Sequence, residues 1–112
     1  MTTVTAVRLR PAGHAGEVAE QLRMELKRLG VSADVHEGDR VALLSVWVHL
    51  VVWCERGPEG WRYRWWTGRV SQRSGRWVYT GCRALAVKTA AQRIVARYVE
   101  LRRDPSSSSL PR

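Results

Sequence analysis

Residues 41–54 read VALLSVWVHLVVWC, and this stretch decides the fold of the chain. Half of its fourteen residues are valine or tryptophan, which fit a pleated, half-buried strand. The stretch is far longer than an average strand, so we predict one bent strand that pairs first with an earlier strand and then with a later one. Alternation splits its side chains into two sets. The aliphatic set, expected in the core, contains Val46, Val48, Leu50 and Val52, and the other set contains Trp47, His49, Val51 and Trp53.

The segment before this strand has the spacing of an amphipathic helix. Its apolar residues follow one another at intervals of four, four and three positions: Val18, Leu22, Leu26 and Leu29. Gly30 stands where a C-terminal cap is expected, so we predict a helix that begins at Ala15 and ends before this glycine. Residues 31–35 then alternate between apolar and polar, which predicts a short first strand.

The segment after residue 54 contains two further strands and a second helix. Residues 55–60 (ERGPEG) predict a loop, residues 61–68 a strand, residues 71–75 a hairpin turn, and residues 76–80 a last strand. A helix is predicted from about residue 84 to residue 103, on a stripe of apolar side chains at helical spacing: Val87, Ala91, Ile94, Tyr98 and Leu101.

These elements predict an α+β fold: helix, three- to four-stranded antiparallel sheet, helix, with both helices packed on one face of the sheet. A chain of 112 residues suits one domain, here residues 14–103. We expect residues 1–13 to form a flexible leader and the polar, serine-rich residues 104–112 a disordered tail. The start does not resemble a signal peptide and no apolar run reaches 18 residues, which predicts a cytoplasmic protein without a membrane partner.

The charge of the chain is strongly one-sided. The formal net charge is +9, with 17 arginines against two lysines. Residues 1–55 carry six basic and seven acidic side chains, whereas residues 56–103 carry twelve basic and two acidic ones. Such asymmetry favours a polyanionic partner, either nucleic acid or an acidic protein. The alternative is arginine enrichment from GC-rich codons, with no special partner.

The alternation within the strands also predicts which side chains leave the core. Guanidinium groups are not buried unpaired, so Arg62, Arg64 and Arg76 should point away from the helices. The face that the helices leave uncovered then collects Trp47, His49, Trp53, Trp66, Arg62, Arg64 and Arg76. We call these seven residues the predicted outer set. By the same alternation, Trp77 and Tyr79 belong to the opposite set.

Aromatic rings interleaved with arginines suit single-stranded nucleic acid, because bases stack on indole and guanidinium planes while arginines neutralise phosphates. The leading hypothesis is therefore a non-catalytic module that binds nucleic acid through the predicted outer set. Four further arginines are expected to support it: Arg69, Arg73, Arg93 and Arg97. A second hypothesis makes the tryptophan face a homodimer or adaptor interface, with the arginines binding an acidic protein. A third lets the leader fold across and bury that face.

Catalytic and metal signatures are weak in this sequence. His49 and Cys54 are five apart on one strand and so point to opposite faces. Cys82 has a basic neighbour, Arg83, but no suitably placed histidine. There is no GxGxxG, P-loop, HExxH or GxSxG motif, and the two cysteines lack zinc-ligand spacing. We therefore expect no enzyme activity, no cofactor and no metal. The cysteines should be reduced, because the protein is predicted to be cytoplasmic.

Three segments resemble a group of small hypothetical proteins from high-GC Gram-positive bacteria: residues 33–38 (ADVHEG), 43–54 (LLSVWVHLVVWC) and 63–68 (YRWWTG). The similarity spans roughly residues 15–103. The group resembles accessory proteins found among regulators, which implies a regulatory accessory in the bacterial cytoplasm and supplies no site residues.

The element order also resembles the double-stranded RNA-binding domain. Residues 81–91 are similar to that domain's last helix, where a lysine cluster meets RNA phosphates. Here only Lys88 matches the cluster, since Leu85 and Val87 are apolar. The long tryptophan-rich strand also departs from that family, which puts the RNA-binding surface of the family in doubt for this chain.

Overall fold

The computed structural model describes residues 14–103. They form an α+β fold in which two α-helices pack on an antiparallel sheet. In chain order the elements are α1 (Ala15–Arg28), β1 (Asp34–Glu37), β2 (Ala42–Trp47), β3 (Leu50–Gly57), β4 (Gly60–Val70), β5 (Trp77–Arg83), a 3-10 turn (Ala84–Ala86) and α2 (Val87–Arg103). The strands follow one another in space as they do in sequence, so the sheet is a five-stranded meander. The predicted leader, 1–13, and tail, 104–112, lie outside the described residues.

The predicted class is confirmed, but the predicted three to four strands are wrong because residues 41–54 form two strands instead of one. The chain reverses at Val48 and His49, and Trp47 pairs directly with Leu50. His49 adopts a positive φ of 63°, a left-handed conformation that histidine tolerates better than most residues. No glycine, asparagine or aspartate marks this turn, so turn chemistry could not reveal it. Val48, expected in the core, is 63% exposed at the tip.

The hairpin brings the aliphatic side chains of the stretch into one core. A straight strand of fourteen residues would span roughly 45 Å, well beyond the reach of two short helices. Folded back, the segment buries Leu44, Val46, Leu50 and Val52 beneath α1 and α2. Leu22, Leu26 and Ile94 face them from the helices, all with no exposed surface.

Tyr63 of β4 ties the sheet to α1. Its side chain is completely buried, and its hydroxyl donates a 2.8 Å hydrogen bond to the carbonyl oxygen of Val18. Burial raises the pKa of this hydroxyl above its ordinary value. Tyr63 therefore stays a neutral donor throughout the ordinary pH range, and the sheet keeps a fixed position under the helix.

Candidate functional site

One face of the sheet is covered by the helices, and the other carries the candidate site. Cross-strand partners share a face, so the pairing register identifies its members. We call this surface the open face; along β2 to β5 it consists of Leu43, Ser45, Val51, Trp53, Glu55, Arg62, Arg64, Trp66, Trp77, Tyr79, Gly81 and Arg83.

Three aromatic rings are available on the open face. Trp53 is 36% exposed, Tyr79 41% and Trp77 43%. Trp66, by contrast, is buried on this same face, because the Trp77 ring stacks on it with centroids 4.0 Å apart and 24° between the planes. His49 closes the other side of Trp66 with an edge contact at 6.4 Å. The open face thus carries a supported cluster of indoles rather than separate side chains.

Sequence alternation assigned Trp77 and Tyr79 to the wrong face. The β4–β5 register shifts between Trp66 and Arg69, but this bulge adds two residues to β4 and so leaves its alternation unchanged; the error came from treating Arg76 as an outward-pointing residue of β5. Arg76, which was predicted to lie on β5 and point outward, belongs instead to the turn before that strand. The signal that could have located the bulge is Gly68, whose φ of 90° is unusual for any other residue.

Trp47 does not belong to the open face either. A register irregularity between Ser45 and Trp47 rotates this residue toward α2. Its ring meets Tyr98 edge-on at 5.7 Å, and the Arg102 guanidinium lies 4.9 Å from its centroid. Trp47 is therefore a helix-side residue, although it is 43% exposed.

Arg62 and Arg64 lie on the open face as predicted, but a carboxylate that was assigned to a loop accompanies them. Strand β3 continues to Gly57, which places Glu55 opposite Arg62. Glu55 Oε2 lies 3.0 Å from Arg62 Nη2 and 3.1 Å from Arg64 Nε. Arg83, the direct cross-strand partner of Arg62, forms a 2.8 Å salt bridge to Glu59. We call Arg62, Arg64 and Arg83 the matched arginines, because two carboxylates offset most of their charge.

Three other arginines surround the tip of the β4–β5 hairpin: Arg69, Arg73 and Arg76. All three are exposed, and none forms a salt bridge with any carboxylate of residues 14–103. We call them the hairpin arginines. Since Arg69 pairs with Val78, it lies on the surface of the hairpin opposite Trp77.

Arg93 and Arg97 lie on the helix side and hold α2 against the sheet. Arg93 donates a 2.9 Å hydrogen bond to the Gly81 carbonyl oxygen and a second bond to the Thr80 hydroxyl. The Arg97 side chain is only 11% exposed; it covers Gly68 and pairs with Glu100 at 3.1 Å. Their guanidinium groups are thus engaged in packing and do not face the open surface.

The two cysteines cannot form a disulfide within this fold. Cys54 and Cys82 both pair with Tyr63, one from each side, so their Cα atoms are about 10 Å apart, beyond the reach of an S–S bond. Burial also raises the pKa of the Cys54 thiol to about 12, which suppresses the reactive thiolate.

The described residues offer little that resembles a small-molecule or metal site. Residues 14–103 contain no group of three or more His, Cys, Asp or Glu side chains that could hold a metal ion. A shallow concavity of about 280 Å³ lies at the β3–β4 hairpin, lined by residues 57–62 and Arg83, at the low end of the size range of ligand pockets. Within the same residues, no helix is long and apolar enough to cross a membrane.

Comparison with known proteins gave no match to a family model, to a curated protein or to a solved structure. The resemblances noted from the sequence, including the regulatory accessory role, therefore stay predictions. The function has to be argued from the open face itself.

Proposed function

We propose that the chain is a non-catalytic module that binds single-stranded nucleic acid on the open face. The observation that carries this proposal is the group of three exposed rings, Trp53, Tyr79 and Trp77, on the sheet surface that the helices leave uncovered. Large aromatic side chains are costly to expose, so a cluster of them on a sheet suggests a partner with flat apolar surfaces.

Nucleobases are such partners. Trp53 pairs directly with Arg64 across β3 and β4, and the Arg64 guanidinium lies 5.3 Å from the Tyr79 ring centroid on β5. The three groups form a row of aromatic, guanidinium and aromatic side chains about 10 Å long. Gly81, two residues after Tyr79 on β5 and directly opposite Arg64, carries no side chain, so the row is not enclosed on that side. Successive bases of an unpaired strand could stack along such a row.

The charge distribution supports a polyanion in the same region. The acidic side chains lie mostly in α1 and near β1, whereas β4, β5 and the hairpin between them carry arginines. The sheet therefore changes from acidic to basic from β1 to β5. A strand of phosphates would be attracted toward the edge where the exposed rings lie.

The test is fluorescence polarisation of mixed-sequence single- and double-stranded oligonucleotides at two salt concentrations. For the wild type we expect tighter binding of the single strand. The variant W53A/Y79A should lose at least about 30-fold in affinity, because it removes two rings and each stacked base contributes about 1–3 kcal/mol. Trp47→Ala is the matched control, since it removes a tryptophan of similar exposure from the helix side. Equal losses in both variants would contradict the proposal.

A homodimer or adaptor interface is the second candidate, with the arginines binding an acidic protein. It is favoured by the apolar residues beside the rings, Leu43 and Val51, and by the neutralising effect of Glu55 on the arginines between them. Sedimentation separates the two candidates. A wild type that sediments as a dimer and binds no oligonucleotide, together with a monomeric W53A/Y79A variant, would replace nucleic acid by a protein partner.

A further inference from the structure

We infer that the phosphate contacts of the bound strand come mainly from the hairpin arginines, above all from Arg73 and Arg76 at the tip, and only weakly from the matched arginines. The inference rests on the proposed function and assigns its electrostatic part to one element. It departs from the sequence hypothesis, in which Arg62, Arg64 and Arg76 carry equal weight.

The first argument is the availability of charge. A phosphate that approaches Arg62 or Arg64 also approaches Glu55, whose oxygens lie within 3.1 Å of both guanidinium groups. Glu55 offsets one of the two positive charges, so the net attraction is well below that of two unpaired arginines. No described carboxylate forms a salt bridge with Arg69, Arg73 or Arg76, so a phosphate there meets undiminished charge and releases counterions on binding.

The second argument is the reach of the hairpin. Strand β4 pairs with β3 from Gly60 to Trp65, but with β5 as far as Val70. Its distal part is therefore a two-stranded ribbon that extends beyond β3. Ribbons of this kind can follow a nucleic-acid backbone or enter a groove, and here the ribbon begins beside the stacked Trp66 and Trp77.

The third argument is that the tip is organised before any partner binds. The Ser71 backbone N–H donates to the Arg76 carbonyl at 2.8 Å, and the Gly75 N–H donates to the Ser71 carbonyl at 2.8 Å. The Ser71 hydroxyl accepts bonds from the backbone N–H groups of Arg73 and Ser74, each at 3.2 Å. A turn fixed in this way presents its arginines without much further ordering on binding, which reduces the entropic cost of association.

The base of the ribbon is fixed as well. The Trp66 indole Nε1 donates a 2.9 Å hydrogen bond to the Arg69 carbonyl oxygen, and the Thr67 hydroxyl donates to the Val78 carbonyl at 2.8 Å. One of these bonds closes the bulge within β4, and the other joins the bulge to β5. The backbone that carries the hairpin arginines consequently keeps a defined position relative to the exposed rings.

The experiment compares two variants that lose the same charge: R73Q/R76Q at the tip and R62Q/R64Q on the open face. Affinity for a single-stranded oligonucleotide is measured by polarisation over a series of salt concentrations. Log affinity falls with log salt, and for R73Q/R76Q we expect this negative slope to become shallower by about 1.4, the value for two lost phosphate contacts on a single strand. For R62Q/R64Q the slope should become shallower by less than half of that amount. Affinity should still drop, because Arg64 no longer stacks.

Circular dichroism and thermal melts should show both variants folded, since all four side chains lie at the surface. A larger slope change in R62Q/R64Q than in R73Q/R76Q, with the ring dependence of W53A/Y79A intact, would overturn this inference alone. A wild type that binds no oligonucleotide would overturn the proposed function and this inference with it. If heparin displaced the oligonucleotide completely and W53A/Y79A bound it as tightly as the wild type, the proposed function would be overturned. The slope measured for R73Q/R76Q would still show whether the hairpin arginines contact phosphates.

Discussion

The matched arginines and the hairpin arginines, which lie at opposite ends of β4, stand in opposite electrostatic conditions. Near the β3–β4 hairpin the three matched arginines stand beside Glu55 and Glu59, at 2.8 to 3.1 Å. Near the β4–β5 hairpin the three hairpin arginines form no salt bridge with a described carboxylate. Each group contains three arginines, but Glu55 and Glu59 reduce the formal charge of the first group to +1. The structure shows that only the second group offers most of its charge to a partner.

The comparison also separates stacking from neutralisation. Arg64 lies 3.1 Å from Glu55 and 5.3 Å from the Tyr79 ring centroid, so it is close to a stacking ring while part of its charge is offset. The hairpin arginines have free charge but no ring contact among the described residues. One end of β4 is thus suited to bases and the other to phosphates.

The largest expected effect is that of removing the ring beneath the hairpin. Trp66→Ala deletes a buried indole and its bond to the Arg69 carbonyl, and should lower the free energy of unfolding by about 3–5 kcal/mol. Urea denaturation followed by circular dichroism measures this loss. If the hairpin arginines depend on this support, the salt dependence of oligonucleotide binding should decrease in Trp66→Ala under conditions where the variant is folded.

Trp77→Ala is the control for that substitution, since it removes the partner ring of the stack, which is 43% exposed. We expect a smaller loss, about 1–2 kcal/mol. Equal losses from the two variants would mean that the Trp66 ring is not the supporting member of the pair.

A smaller effect is expected from releasing the matched arginines. Glu55→Gln removes the carboxylate shared by Arg62 and Arg64 and should raise affinity for single-stranded oligonucleotide roughly three- to tenfold at low salt. The cost in stability should stay below about 1 kcal/mol, because these pairs are partly solvated. Polarisation titrations and thermal melts measure the two quantities.

Glu100→Gln changes the net charge equally but acts on the helix side, where Glu100 pairs with Arg97. It should leave affinity nearly unchanged. If both glutamine variants gained the same affinity, overall charge and not the local pairing would govern binding, and the contrast between the two ends of β4 would lose its meaning.

The smallest effect concerns an arginine–carboxylate pair remote from the sheet, which indicates what such a pair contributes. The hydrogen bond from Arg23 holds the pKa of Glu20 below its ordinary value of 4.5. A carboxyl whose pKa is depressed on folding stabilises the protein above the unfolded-state pKa, and this contribution disappears as pH falls through the folded-state value. Arg23→Met should therefore be slightly less stable than the wild type at pH 7, and the difference should shrink as the pH falls below 4.5. A difference in melting temperature that is independent of pH would contradict this assignment.

Much of the fold could be predicted from the sequence because helical spacing is unambiguous here. The stripe from Val18 to Leu26 and that from Ala91 to Leu101 both lie in the core, and Gly30 ends its helix with a φ of 90°. The fifth strand could not be predicted, since a turn at Val48 and His49 breaks an alternation that otherwise continues without interruption. Its conformation is imposed by the pairing of Trp47 with Leu50 and not by local preference.

The site was predictable in composition but not in arrangement. Trp53, Arg62 and Arg64 lie where period-two alternation placed them, because no irregularity separates them from the centre of the sheet. Trp47 changed faces because one extra residue in β2 reverses the side chains beyond it. Trp77 was assigned to the wrong face because Arg76, on which its assignment depended, lies in the turn before β5. Glu55 could not be paired with its arginines from sequence, because the end of β3 depends on how far β4 continues beside it.

The hydrogen bond between Arg93 and the Gly81 carbonyl has a consequence for solubility. Strand β5 is an outer strand of the sheet, and such strands can recruit further strands from other molecules. Any chain that aligns itself there meets a bulky, charged guanidinium already bonded to Gly81 and to Thr80. The side chain that fastens α2 to the sheet therefore also hinders the addition of a strand from another molecule at β5.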